Sequence, residues 1–356
     1  MLELRSLSKV VAGDTHIHPT TLTLQRGSLN VLLGPTLSGK TSLMRLMAGL
    51  DKPTSGQLYF DGKDVTGVRV QDRSVAMVYQ QFINYPALTV YENIASPLRI
   101  RKLNNQEVDR QVRRAADLLK LTPYLERTPL NLSGGQQQRT ALARAIVKQA
   151  SLVLLDEPLA NLDYKLREEL REELPKIFAE SGAIFVYATT EPSEALLLGG
   201  NTATLSEGRI TQFGPTIEVY RRPQDLKTAR TFADPPLNTV EAERRGEDFL
   251  IMSGQSITVP SHLANVPQGP VTLAFQPHHL SPDGDRADAS ALKVRSMISE
   301  ISGSESFVHL DIGEARWVML AHGIHEVEAD QQVTVYLDRR HLMAFDAAGR
   351  TVGREA

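Results

Sequence analysis

The sequence predicts an α/β domain with a helical insertion, followed by a small all-β, OB-like domain. Three observations carry this reading. Apolar runs at 30–33, 151–155 and 183–188 read as buried strands, and each ends in a polar loop. Between about Gln81 and Ala150 the pattern turns mostly helical. From about Leu237 onward, short strand-like runs alternate with turn residues, the texture of a small barrel or sandwich. At 356 residues the chain exceeds one typical core, so two domains are the natural expectation. They are placed at 1–235 and 236–356, with the helical part at about 81–150 and Asp234-Pro235-Pro236 as the linker.

Taken in order, the first thirty or so residues alternate short apolar runs with turn residues such as Arg26-Gly27, which suggests small antiparallel strands. The strand at 30–33 then runs into Gly34, Pro35, Thr36, Leu37, Ser38, Gly39, Lys40 and Thr41, which fit G-x-x-x-x-G-K-[ST] at every fixed position. Ser42 closes this set and begins a stretch in which Leu43, Leu46, Met47 and Leu50 recur at helical spacing. Strand, glycine loop and helix in that order form a phosphate cradle, because loop N–H groups and the helix N-terminus face the anion. A nucleoside triphosphate is therefore expected here, with Lys40 on its terminal phosphates and the Thr41 hydroxyl on Mg²⁺.

Further along, the run at 58–60 lies between Ser55-Gly56 and Asp61-Gly62, and 74–79 reads as a strand ending at Gln80. Helices are predicted over 108–121 and 137–149. The strand at 151–155 ends in Asp156-Glu157-Pro158, and the one at 183–188 ends in Thr189-Thr190-Glu191. Ligands in open α/β sheets bind beyond the carboxyl ends of strands, so Asp156, Glu157 and Thr190 can meet the phosphate loop there. Runs at 202–205 and 209–213, split by Glu207-Gly208, read as a closing hairpin.

The formal charge of −3 argues against a broad nucleic-acid-binding surface. With no cysteine there are neither disulfides nor thiolate metal sites. The opening MLELRSLSKV has no apolar signal core, and no run approaches the eighteen or so apolar residues of a membrane-spanning helix. Membrane association is expected only through a partner.

LSGGQ at Leu132–Gln136, followed by Gln137, Gln138 and Arg139, is the second specific motif. Together with the phosphate loop it makes the sequence resemble the ATP-binding subunit of ABC transporters, whose signature run it matches without a mismatch. Ser133 reads as an N-cap, and Ser133, Gly134 and Gly135 leave backbone donors uncovered at a positive helix end, suited to a γ-phosphate. The resemblance implies that this phosphate belongs to the nucleotide of the other subunit in a head-to-tail dimer, with Gln136 closing the partner-site set. It also implies that Asp156 holds Mg²⁺ through water, that Glu157 polarises the attacking water, and that Gln80 reaches Mg²⁺ while the loop after it, to Pro86, contacts a membrane subunit. By the same likeness Leu159–Asp163 touches across the dimer.

The likeness continues beyond the ATPase domain. FQPHHL at Phe275–Leu280, GSES at Gly303–Ser306 and HLMAFDAAG at His341–Gly349 resemble the C-terminal domain of maltose and glycerol-phosphate type importers, although Gln276 stands where the family usually has arginine. What this implies is an ATPase that binds ATP and Mg²⁺ and powers bacterial import of a sugar, polyol or glycerol-related solute. Implied partners are a second ATPase subunit, two membrane permease subunits and a solute-binding protein, without nucleic acid, at the cytoplasmic face of the inner membrane.

Two positions depart from the family pattern. Val11 stands where an aromatic would stack on adenine, and Thr190 stands where the switch histidine would be. Threonine can donate one hydrogen bond but has no imidazole to position water or carry a proton. The imbalance between an intact LSGGQ and an altered Thr190 favours a heterodimer over a homodimer, and it leaves open a second reading as a nucleotide-binding regulatory subunit with a nearly inactive site of its own.

Overall fold

Alternation of buried and exposed side chains shapes the first elements. In the computed structural model, which describes residues 1–81, 83–160, 162–284 and 288–353, β1 (Leu2–Val11) pairs antiparallel with β2 (Asp14–Leu24). Leu2, Leu4, Leu22 and Leu24 point into the core. These two strands with β4 (Ser55–Phe60) and β5 (Lys63–Asp64) form a four-stranded sheet in the order β2-β1-β4-β5. The second sheet is the framework of the unit. It contains β3 (Leu29–Leu33), β6 (Val75–Val78), β7 (Leu152–Asp156), β8 (Ile184–Thr189), β9 (Asn201–Ser206) and β10 (Arg209–Pro215), in the order β10-β9-β3-β8-β7-β6.

Five of its strands run parallel and only β10 is antiparallel. Parallel strands are covered on both faces, which explains why β7 and β8 are buried at every position. α1 (Lys40–Ala48) leaves the end of β3 through the glycine loop. The register sets Leu33 level with Thr189, and Asp156 level with Ala188. The polar ends of three adjacent strands therefore stop at one height.

The helical part comprises α2 (Val90–Ile100), α3 (Asn105–Leu118) and α4 (Gly134–Val147). Both helices predicted here start three residues earlier than the apolar periodicity alone suggests, because their N-caps lie outside the periodic stretch. Asn104 accepts from the Glu107 N–H at 2.9 Å. Ser133 accepts from the Gln136 N–H at 3.3 Å, while the Gln136 side chain accepts from the Ser133 N–H at 3.0 Å. That reciprocal pair satisfies two otherwise orphaned donors and offsets the poor helix propensity of Gly134 and Gly135. α5 (Tyr164–Ser181) buries Leu166, Leu170, Leu174 and Phe178, one stripe at a spacing of four, with Phe178 stacked 3.9 Å from Phe185 of β8. α6 (Pro192–Leu198) follows β8.

Contacts divide the chain into Met1–Val219 and Tyr220–Ala356, so the division falls inside α7 (Thr216–Arg221), upstream of the Asp234-Pro235-Pro236 stretch. In the second unit α8 (Leu226–Thr231) sets Ala229 against Met343 and Phe345, and Leu226 N–H donates to the Gly349 carbonyl at 2.8 Å. Eleven strands follow: β11 (Asn238–Arg245), β12 (Asp248–Ile251), β13 (Ser256–Thr258), β14 (Gly269–Phe275), β15 (Leu280–Ser281), β16 (Ala289–Ile301), β17 (Glu305–Ile312), β18 (Ala315–His322), β19 (Gln332–Asp338), β20 (Met343–Phe345) and β21 (Thr351–Val352). They form two antiparallel sheets, β13-β12-β11-β14-β20-β21 and β15-β19-β16-β17-β18. One core joins the sheets, with Val240 and Leu273 from the first and Leu292, Leu310 and Trp317 from the second. Trp317 is fully buried, meets Phe275 edge to face at 4.9 Å, and donates its indole N–H to the Thr239 carbonyl at 3.0 Å.

At the end of β19, Asp338 is 1% exposed and accepts from Arg340 Nε at 2.9 Å, from Nη2 at 2.7 Å and from the Arg340 backbone N–H at 3.2 Å. The hydrogen bonds from the Arg340 guanidinium hold its carboxyl down at about 2, against the opposing effect of burial. An unfolded aspartate titrates at roughly 4, so this stabilisation is fully present above about pH 4 and is lost as pH falls toward 2. Asp338→Asn is expected to cost about 1 to 2 kcal/mol at pH 7, discounted for the exposed guanidinium. Urea midpoints of both proteins between pH 7 and pH 2 check this, and the gap should narrow as pH falls because the wild-type carboxyl then protonates.

Candidate active site

The phosphate loop is fixed by close packing before any ligand is considered. Gly34 has no room for a side chain, since a Cβ there would lie 2.4 Å from the Leu205 carbonyl oxygen of β9 and 2.6 Å from Ser38 Oγ. Gly39 sits at φ +103 where a Cβ would meet Ile17 Cδ1 at 2.9 Å, so both glycines of the motif are required by sterics. Leu37, between them, has φ 67 and is 96% exposed. Pro35 and Thr36 are exposed, and Ser42 is half-buried on the first turn of α1. Ser38 Oγ is buried without a partner among the described residues, and α1 has no side-chain N-cap. Uncapped N–H groups at a helix start are orphan donors aimed at an anion.

Lys40, the first residue of α1, is 5% exposed and donates to the Gly34 carbonyl at 2.8 Å and the Pro35 carbonyl at 3.1 Å. Its Nζ lies 3.9 Å from Glu157 Oε1. Burial lowers the Lys40 pKa, and the nearby carboxylates of Glu157 and Asp156 oppose that shift. Thr41 Oγ1 donates to Asp156 Oδ2 at 2.7 Å, and Gln80 Nε2 donates to Glu157 Oε2 at 2.9 Å. Burial raises the pKa of both acids; the Thr41 hydrogen bond and Lys40 work against this at Asp156, while at Glu157 Lys40 lowers it and Asp156 raises it. Glu157 has φ 46 although it precedes Pro158, a conformation that L-residues rarely adopt and that clusters at functional sites.

Lys40, Thr41, Gln80 and Glu157 share one cleft of about 690 Å³, lined by Thr36–Ser42, Gln80 and Glu157 together with Thr15, His16, His18, Glu207 and Gly208, while Asp156, 3% exposed, lies behind Thr41. The structure thus brings the phosphate loop, Gln80, Asp156 and Glu157 together. Val11 (at the end of β1), Thr190, and Ser133, Gly134, Gly135 and Gln136 are not among the described residues lining that cleft. Thr190 is exposed just past β8. Asn161 of the Leu159–Asp163 run and Phe82 of the loop after Gln80 lie outside the described residues.

Three groups escaped the sequence reading. Gln138, 1% exposed on α4, donates to the Glu157 carbonyl at 3.3 Å, tying the LSGGQ helix to the acid. Asn84 donates to the Gln137 carbonyl at 2.9 Å and so ties the loop after Gln80 to the same helix. Glu194, 4% exposed, accepts from Thr189 Oγ1 at 2.6 Å and from the Tyr187 hydroxyl at 3.1 Å, and pairs with Arg171 at 3.3 Å. It pins the end of β8 beside Thr190. A glutamine within QQQ and a glutamate on a short helix have no local pattern to mark them.

An uncapped helix behind a glycine loop, a buried lysine and a paired acid at the end of a parallel strand define a phosphate-loop nucleotide-binding protein. The ABC transporter family matches residues 17–160. The sn-glycerol-3-phosphate import ATP-binding protein of Cupriavidus pinatubonensis is 33% identical over 97% of this chain and 97% of that protein, and the corresponding protein of Ruegeria pomeroyi is 38% identical over 83% of each. The trehalose/maltose import ATP-binding protein of Thermococcus litoralis is 36% identical over 97% of this chain and 96% of its own length. A solved ATP-binding cassette, dimeric in a post-hydrolysis state with ADP and Pi, matches with a TM-score of 0.56 at 27% identity, covering 61% of this chain and 99% of that one. The chain belongs to the ATP-binding subunits of ABC transporters, and it is an ABC-type ATPase.

Removing the buried cation should separate binding from folding. Lys40→Ala is expected to abolish detectable MgATP binding by calorimetry while the melting temperature stays within a few degrees of wild type. Retained affinity in a natively melting variant would overturn the assignment of the loop.

Proposed function

We propose that this chain is the ATPase subunit of an importer for a sugar, polyol or glycerol-related solute, pairing head to tail with a second ATPase subunit and working with two permease subunits and a solute-binding protein at the cytoplasmic membrane face. The single observation that supports it most is the meeting of Lys40, Thr41, Glu157 and Gln80 at one strand-end cleft, with Asp156 hydrogen-bonded to Thr41, in a chain whose import relatives match it along 97% of its length. No helix of the described residues is long and apolar enough to cross a membrane, so permease contact supplies the attachment in this reading.

Phosphoryl transfer of this kind depends on positioning and charge rather than on a covalent intermediate. Lys40 is held by two loop carbonyls that a phosphate can replace as its partners. Mg²⁺, when bound, neutralises charge developing on the phosphates. It takes one or two protein oxygens and keeps waters and phosphates as its other ligands, and the adjoining Thr41 hydroxyl and Asp156 carboxylate fit that donor set, with Gln80 near. Glu157, raised in pKa yet facing Lys40, is placed to accept a proton from an attacking water. Ser133–Gln136, exposed or half-buried at the start of α4 and outside this cleft, face the partner's nucleotide in the head-to-tail pair.

At Thr190 an exposed hydroxyl takes the place of an imidazole, which supports a partner of different sequence that carries the faster site. Loss of one preorganised transition-state contact commonly costs about 10² to 10³ in rate. The purified chain alone is therefore expected to hydrolyse ATP slowly, and Thr190→His to raise that rate. In the complete transporter Glu157→Gln should be mild and Ser133→Arg severe. Brisk hydrolysis by the lone chain, abolished by Glu157→Gln, would show a competent homodimer instead.

A further inference from the structure

The cleft is lined by more than the phosphate loop and the acid. Thr15, His16 and His18 of β2 and Glu207-Gly208 of the β9–β10 turn also line it, beside the loop. Val11 cannot offer a flat π face, and it is not among the described residues lining the cleft. Two imidazole rings are.

Their position is not an accident of a loose loop. Lys9 pairs with Ile17 while Val10 pairs with Thr15, so His16 is the extra residue of a β-bulge. A bulge re-aims a side chain, and bulges are over-represented beside active sites. Ile17, next to it, is 1% exposed and presses on Gly39 of the phosphate loop. The backbone is tied on both sides: His18 N–H donates to the Gly208 carbonyl at 2.9 Å, and Gly208 N–H donates to the Ser38 carbonyl at 2.9 Å. Gly208 is obligatory in that tie, because a Cβ there would lie 2.4 Å from the His16 carbonyl oxygen. β2, the turn and the phosphate loop are thus held as one piece, which fixes the histidines at a set distance from bound phosphates.

We propose that His16, with the half-buried His18 beside it, supplies the base-stacking surface of this ATP site. The proposal rests on the nucleotide reading of the cleft and adds to it the residue that holds the base. An imidazole is a planar π system whose face can lie against a purine, and stacking is tolerant of base identity because every base has a π face. Nucleotide discrimination by this chain is accordingly weak, with ATP and GTP bound within a few-fold of each other.

The test uses the full-length chain and two probes, MgATP and magnesium-loaded inorganic triphosphate, which shares the phosphates and lacks the base. His16→Ala is expected to weaken MgATP binding roughly 5- to 100-fold, the range found for loss of one stacked aromatic face. It should leave triphosphate affinity unchanged within about twofold, His16→Phe should restore ATP affinity, and Val11→Ala should change neither. Equal weakening of both probes would show that His16 merely supports the loop, and unchanged ATP affinity in both His16→Ala and His18→Ala would show that the base lies elsewhere; either result overturns the proposal. A wild-type chain that binds neither probe would overturn the nucleotide site itself and this inference with it.

Discussion

The first unit is arranged around one buried ammonium group. Lys40 sits 5% exposed among the carbonyls of Gly34 and Pro35, with Asp156 and Glu157 at the end of β7. Burying a charge is costly unless polar partners meet it, and here every partner is delivered by the sheet. β3 ends at the loop, β7 ends at the acids, and the register of β8 between them keeps those ends level. Replacing the Gly34 or Gly39 hydrogen by a methyl would push the loop off this framework. The fold and the charge arrangement are in this sense one constraint.

A few hydrogen bonds join the site to the helical part. Gln138 joins α4 to the Glu157 carbonyl, Asn84 joins the segment beyond Gln80 to α4, and the Arg144 guanidinium on α4 donates to the Ile83 carbonyl and lies over the Tyr85 ring. Burial lowers the Arg144 pKa, with its ring contact partly offsetting the loss of water. The helix that begins with LSGGQ and the loop that begins with Gln80 are therefore tied to each other and to Glu157, Gln138 at its backbone carbonyl and Gln80 at its carboxylate.

What the sequence discloses and what it hides divide along a physical line. The phosphate loop, Asp156 and Glu157 are legible because fixed residue types at fixed spacing follow apolar strands, so local sequence carries the whole signal. The helix starts at Asn105 and Gly134 are half legible: Ser133 reads as a cap, but the apolar period of both helices begins a turn later and the cap at Asn104 emerges only in the fold. His16 is illegible, because its role depends on a one-residue slip between β1 and β2 that no single strand records. Glu194 is hidden for the same reason, its partners Tyr187, Thr189 and Arg171 being assembled by packing. The contacts of α8 with Met343, Phe345 and Gly349 join residues more than a hundred positions apart, whereas a Pro-Pro pair is conspicuous in one dimension.

Leu37 gives the loop a character of its own. A branched residue at φ 67 with its side chain in solvent carries backbone strain of about 1 to 2 kcal/mol, and nothing in its surroundings repays it directly. A side chain also narrows the conformations open to the unfolded loop, which returns roughly half a kcal/mol or more relative to glycine. The net effect is a cradle that carries a small backbone strain at Leu37. Nucleotide arrival then requires the Lys40 ammonium to exchange two carbonyls for phosphate oxygens, a side-chain movement, rather than a rebuilding of the backbone around it.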